Sequence, residues 1–513
     1  INDQTTASIS HGLDLTHSVS PRLFYKLSAR QNYFKYTDYK YEKVFDYRYI
    51  AAGAPQGDAN YENGAVIEGV ELGRFKQITD SYIGKVDLTW QATRSHLIEA
   101  GLQGQQSGIT FGSPGFLRFT NIGGVTVLQP HIGTRPEDPK LEYYEPRQFS
   151  IYLQDRIEWR DLVLRAGARF EYFDANATLP SDLRNPANSI AGVPESHPIN
   201  TDIKTSLAPR LGFSFPLSAS ASLHFSYGHF YQLPGLGNLY NNSNYLVLED
   251  LQEGGVSYGV LGNPNLKPEK TVQYEFGLKQ AITGKIGVDM TFFFKDIRDL
   301  LGVELISTYA AADYARFTNV DFGSVTGFTL AIDQRPIGPI STTLDYTLQF
   351  AEGNSSDPRE TANRAEAGKD PRPRVIPFNW DQRHTLNATA IFSKPGNYTI
   401  STILRFGSGQ PYTPQVGSGF LADLETNSGR KPDYFLVDLR AEKFFHIFNL
   451  RTSLYLRVQN LLNTHFVNGF VFNTTGSPDY TQFPETQRSS LIDPSRFYNP
   501  RRIEIGLSLE SPR

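Results

Sequence analysis

The 513-residue chain has no cysteine, which excludes disulfides and thiolate metal centres and suits an envelope protein that avoids oxidation chemistry. Long hydrophobic runs are missing too. No window approaches the roughly eighteen consecutive apolar residues of a membrane-spanning helix, and mean hydropathy is −0.38. Neither sign of charge dominates: 49 Lys and Arg stand against 53 Asp and Glu, so there is no basic footprint for nucleic acid. There is no G-x-S-x-G elbow, no H-E-x-x-H, no Walker loop and no G-x-G-x-x-G after a strand, so the sequence gives no ground for an enzyme or a cofactor. His11 and His17 are too far apart along one strand to share a metal, and His224, His229 and His384 have no partner at a metal-binding spacing. The acidic positions Asp357, Asp423 and Glu425 form no calcium loop. No metal site is expected.

What the chain does have is aromatic residues, 35 Phe and 28 Tyr, and alternation. In the stretch Leu261 to Gln280, Pro264 and Pro268 forbid a strand through the first half. From Val272 onward, Val272, Tyr274, Phe276 and Leu278 alternate with Gln273, Glu275, Gly277 and Lys279. That period of two places the apolar side chains on one face. After a turn at Thr283 and Gly284, Ile286, Val288, Met290, Phe292 and Phe294 run back. A soluble sandwich would need uniformly apolar inner faces. Here every strand carries a charged face, as a transmembrane barrel with a polar lumen requires.

The same reading gives about seventeen strands. Pairs fall near Thr5 to Thr16 with Leu23 to Ala29, Tyr82 to Trp90 with Ser95 to Gln103, and Phe149 to Trp159 with Leu162 to Phe173. Others are Thr205 to Phe215 with Ser222 to Tyr231, the hairpin above, and Thr318 to Ile332 with Ser341 to Phe350. Asp381 to Phe392 with Tyr398 to Phe406 and Phe435 to Phe444 with Asn449 to Gln459 complete the pairs, and Arg502 to Leu509 stands alone. Short and long connections alternate, as in outer-membrane barrels with periplasmic turns and long outer loops. The fold class is therefore all-β, a large antiparallel transmembrane β-barrel. The first strand starts on the outer side and the count is odd, whereas closed bacterial barrels are even, so residues 1–513 are read as a C-terminal portion preceded by about five strands, about 22 in all.

Several strings in this order and spacing are similar to the TonB-dependent outer-membrane receptor family: IYLQDRIEW with LRAGARFEYF, APRLGFSF, SYGHFYQLP, GNPNLKPEKTVQYEFGL, NWDQRHTLNATAIF, GQPYTP, VDLRAEKFF with LYLRVQNLLN, and NPRRIEIGLSL. The resemblance runs from about Ser81 onward, and looks most like the branch with a carboxypeptidase-regulatory-like domain ahead of the plug. It implies a bacterial outer-membrane receptor, surrounded by lipid, that binds a scarce substrate at its outer loops and imports it by an energised plug rearrangement. TonB would be engaged through a plug segment that this sequence does not contain, and a surface lipoprotein lid is a further partner to look for. The sequence departs from the family at its end, where Leu509 is followed by Glu510, Ser511, Pro512 and Arg513 instead of closing on an aromatic.

The outer-loop tyrosines Tyr231, Tyr240 and Tyr245 are the ligand candidates, because Tyr joins a rigid surface to a polar handle; the alternative is packing or a membrane-interface girdle. Arg165, Arg169, Glu171, Glu275, Lys279, Asp438, Arg440 and Arg457 fall on the polar face. They line a ligand path, meet a plug, or pair across strands for the stability of the ladder. A passive outer-membrane channel and a structural or secretion barrel in a larger envelope complex remain alternatives to a receptor.

Overall fold

The computed structural model describes residues 2–57, 66–135, 138–253, 259–355, 357–360, 374–415, 426–447, 450–467, 469–482 and 496–510. Asp423, Glu425 and the last three residues lie outside them. Twenty strands form one sheet. Three are short loop pieces, at Leu141–Tyr144, Val260–Leu261 and Ile376–Pro377, which leaves seventeen in the wall. These are β1 (Asp3–Ser20), β2 (Leu23–Tyr39), β3 (Phe75–Gln91), β4 (His96–Gly112), β5 (Arg147–Trp159), β6 (Leu162–Asp174), β7 (Lys204–Ser218), β8 (Ala221–Gln232) and β9 (Glu269–Thr283). Then follow β10 (Ile286–Ser307), β11 (Asp313–Ile337), β12 (Ile340–Gly353), β13 (His384–Lys394), β14 (Tyr398–Gly407), β15 (Tyr434–Ile447), β16 (Leu450–Gln459) and β17 (Arg502–Glu510). Each pairs antiparallel with its chain neighbours. Among the described residues β1 pairs only with β2 and β17 only with β16, so the sheet has two free edges.

The outward face is apolar and uncovered. Phe213, Phe225, Phe276, Phe292 and Phe328 stand opposite one another on five successive strands, and Phe276 and Phe292 are each about half exposed. The single-sided strand β17 shows the same pattern, with Ile503, Ile505, Leu507 and Leu509 all exposed. The accessible surface is 30237 Å², against about 19,000 Å² for a compact monomer of this mass. A wall wetted on one side and bare on the other accounts for the excess, and hydrocarbon is the medium that such a bare face fits.

The strands run further toward the long-loop rim than alternation predicts. β10 and β11 stay paired up to Ser307 and Asp313, through residues where alternation predicts a long loop. The reason is packing on both faces. Leu301, Val303, Ala315 and Phe317 are buried in loop contacts, so polar and apolar positions no longer alternate there. One loop also carries a short helix, α1 (Tyr47–Ala52), started by Asp46, whose carboxylate accepts the Arg48 N–H at 3.0 Å.

Between β12 and β13 the wall is pinned by Asp381, which is 1% exposed. Its carboxylate accepts the Ala351 N–H at 2.9 Å and Arg430 Nη2 at 2.6 Å, while Arg430 Nη1 donates to its carbonyl. Asp381→Ala strands a buried N–H and a guanidinium together. The expected loss is about 3 kcal/mol, read as a lower unfolding midpoint, and Asp381→Asn loses less because it still accepts the N–H.

Candidate functional site

On the inner face, the pairings of β5, β6 and β7 set side chains in rows. From the long-loop rim downward these are Gln148, Phe173 and Lys204; Ser150, Glu171 and Ser206; Tyr152, Arg169 and Ala208; Gln154, Gly167 and Arg210; then Arg156, Arg165 and Gly212. The upper rows line a cavity of about 210 Å³ that also meets Gln103 and Tyr231. Arg169 donates to Glu171 at 2.8 Å and to Ser150 Oγ at 2.8 Å. Lys204 donates to Asn265 at 2.5 Å. The cavity wall thus offers amides, hydroxyls and both signs of charge, a set suited to a polar ligand.

Beside this cavity the wall parts. β7 and β8 pair from Ser218↔Ala221 up to Arg210↔Gly228 and no further, although β7 stays bonded to β6 up to Lys204 and β8 to β9 up to Gln232. The cause is Pro209. Backbone groups alternate between the two edges of a strand, and the Leu207 carbonyl faces β8, where the Tyr231 hydroxyl donates to it at 3.3 Å. Pro209 therefore presents the same edge and has no N–H to give. Tyr231 bridges the parting and reaches the cavity.

Tyr240 and Tyr245 are placed differently. Both are fully buried, Tyr240 in one apolar cluster and Tyr245 in a second, formed where α2 (Leu236–Tyr240) and the loops fold over the rim. Tyr240 stacks on Tyr144 at 4.2 Å and donates to the Ala175 carbonyl at 2.8 Å; Tyr245 donates to the Gly262 carbonyl at 3.2 Å. Burial pushes both phenols up, and that of Tyr144 too, where Glu142 adds to the effect. The LGNPNL stretch is what holds them: Leu261 and Leu266 are buried, and Asn263 donates to the Phe317 carbonyl at 2.9 Å.

Most of the polar-face charges have partners. Glu275 accepts from Ser226 at 2.7 Å and from Gln273; Lys279 pairs with Asp289 at 3.3 Å. Asp438 accepts the Asn460 N–H at 2.8 Å and lies 3.5 Å from Arg405; Arg440 pairs with Glu442 at 3.2 Å and Arg457 with Glu504 at 3.5 Å. Arg165, Arg169 and Glu171 are brought together on one patch, whereas Asp438, Arg440 and Arg457 lie on β15 and β16. Arg210 and Lys204 complete the patch. Neither is among the residues expected from the sequence, although period two in APRLGFSF puts Arg210 beside the other lumen charges. Among the described residues no group of three His, Cys, Asp or Glu could hold a metal ion.

A further acid sits above the about ten residues of β11 nearest the short-turn rim that a bilayer takes up. Asp321 is 4% exposed; Asn354 donates to one carboxylate oxygen at 2.7 Å and the other has no partner. Burial raises it from 3.8 to about 6. Because the folded value lies above the unfolded one, the folded state should gain stability as pH falls from 6 toward 4, by at most about 3 kcal/mol. Unfolding midpoints measured across that window should lose this slope in Asp321→Asn.

A family model described as TonB dependent receptor-like, beta-barrel, matches residues 1–461. No curated protein matches the sequence. Among solved structures, the ferric-catecholate import receptor Fiu of E. coli K12 superposes with a TM-score of 0.55 at 14% identity, over 99% of this chain and 64% of that one. The outer membrane transporter YddB of Escherichia coli gives 0.60 at 12% identity, over 91% and 60%. The pyoverdine outer membrane receptor FpvA of Pseudomonas aeruginosa PAO1, bound to pyoverdine, gives 0.59 at 15%, over 99% and 62%. The chain thus spans 60 to 64% of the length of these three structures.

Proposed function

From the premise that this chain belongs to the TonB-dependent receptor family, we propose that it is the barrel of a receptor that captures a scarce solute at the long-loop rim and admits it to the periplasm when TonB rearranges a plug. The family places the protein in the outer membrane of Gram-negative bacteria, with the short turns on the periplasmic side. A wall of about 22 strands is too wide for its own side chains to fill, and the two free edges call for further strands, because no backbone group can stay unpaired in hydrocarbon. The plug, those strands and a surface lipoprotein lid belong to this proposal.

The observation that carries it is the buried loop cluster of Tyr240, which shares Phe173 and Leu233 with the polar cavity at Arg169, Lys204 and Tyr231 and has the Tyr245 cluster beside it in the chain. Loops packed into clusters of ten and five buried residues hold a fixed surface, which suits capture better than free diffusion. A ligand that binds one loop arrangement in preference to another supplies the difference by which an occupied receptor is told from an empty one. Uptake of a panel of ferric siderophores should fall in a deletion strain and, in the parent, on loss of TonB or on addition of a protonophore. Uptake indifferent to both treatments would make the barrel a passive channel. Normal uptake by the deletion strain, with stoichiometric partners co-purifying, would make it a structural subunit.

A further inference from the structure

We propose that Arg210 and Arg165 form an oxyanion site on the inner wall, below the rim cavity, that takes one carboxylate or phosphate group of a small solute. Four arginines crowd this patch. Arg156 faces Arg165 directly across the β5–β6 ladder, an arrangement of like charges that costs stability. Arg210 stands opposite Gly167, two residues from Arg165 and two from Arg169, so each is one diagonal, about 7–8 Å, away. Two of the four are neutralised: Arg156 by Glu158 at 2.6 Å and Arg169 by Glu171 at 2.8 Å. Among the described residues no carboxylate lies within 4.0 Å of Arg165 or Arg210.

Arg210 is also shaped as a receptor. It has a glycine on either side, Gly167 on β6 and Gly228 on β8, so no neighbour crowds its edges. Its guanidinium lies over the Phe230 ring at 4.9 Å, and Phe230 is 42% exposed. A guanidinium over an aromatic ring still has its forked N–H edge to offer for bidentate oxyanion contact, which a lysine does not reproduce. The edge opens on a cavity of about 390 Å³ lined also by Lys85, Glu99 and Arg169. Glu99 is engaged by Gln154, and Lys85 pairs with Asp87 at 2.8 Å. Arg165 stands one row below this lining, so an anion held on Arg210's free fork at the lower edge of the cavity also offsets the Arg156–Arg165 opposition.

The site goes beyond the uptake proposal and its test is independent of transport. The protein, purified in detergent, is treated with phenylglyoxal, and modified arginines are mapped by peptide mass spectrometry with and without citrate or inorganic phosphate, against chloride of matched ionic strength. Arg165 and Arg210 should react faster than Arg156 and Arg169. An anion at ten times its dissociation constant should slow both together by about tenfold, and chloride should not. Arg210→Lys should abolish the protection at Arg165 while leaving reactivity at Arg457 unchanged. The proposal is overturned if neither anion changes the two rates, if chloride protects equally, or if both residues are unreactive before any anion is added, which would mean that protein already covers them.

Discussion

Phe276→Arg should reduce the amount of assembled protein sharply and lower the stability of what remains by about 2–4 kcal/mol, the cost of a cation on the lipid face near the bilayer midplane. Phe276 lies on the outward face midway along β9, between Phe225 on β8 and Phe292 on β10, with no protein over it. An arginine there has neither water nor a carboxylate within its own layer. Three residues away, Gln273→Arg puts the same cation on the inner face beside Glu275, where Gln273 already donates. That change should stay within about 0.5 kcal/mol. The contrast between neighbouring positions, read from urea midpoints in detergent or liposomes, isolates the solvent each face meets from the size and charge of the substituent.

Tyr240→Ala should cost about 3–5 kcal/mol locally and unfold the rim loops while the wall stays intact. The ring fills a site with no solvent access, stacks on Tyr144, and ties α2 to the Ala175 carbonyl. Nothing nearby can collapse into the gap, because Leu239 and Leu266 are already buried. Tyr240→Phe keeps the stack and loses one hydrogen bond, about 1 kcal/mol. Limited proteolysis should therefore cut between residues 233 and 268 readily in the alanine variant and slowly in the phenylalanine one. Ligand uptake should follow the same order if ordered loops are what binds. A loop resistant to protease in Tyr240→Ala would mean that the cluster does not hold it.

The wall was legible in the sequence because a single physical rule governs it. A strand between lipid and water must alternate, and Val272 to Leu278 does so without a break. The rule lapses where both faces meet protein, which is why Leu301 and Val303 on β10 read as loop and turned out to be ladder. The rim was harder. Tyr240 and Tyr245 carry the composition of a binding surface, yet whether a tyrosine faces a ligand or a core depends on contacts with Ala175 and Gly262, residues far from them in the chain. Arg210 shows the opposite case, since its parity was readable. What could not be read was that Gly167 and Gly228 would flank it and Phe230 lie beneath it.

The two faces of every strand meet different media. Because the chain has no native cysteine, single cysteines can be placed one at a time from Val272 to Lys279 and spin-labelled in liposomes. Labels at 272, 274, 276 and 278 should be reached by oxygen and shielded from a water-soluble nickel chelate, and those at 273, 275, 277 and 279 should show the reverse. Equal access to the chelate along the whole stretch, or inner positions closed to both probes, would contradict it.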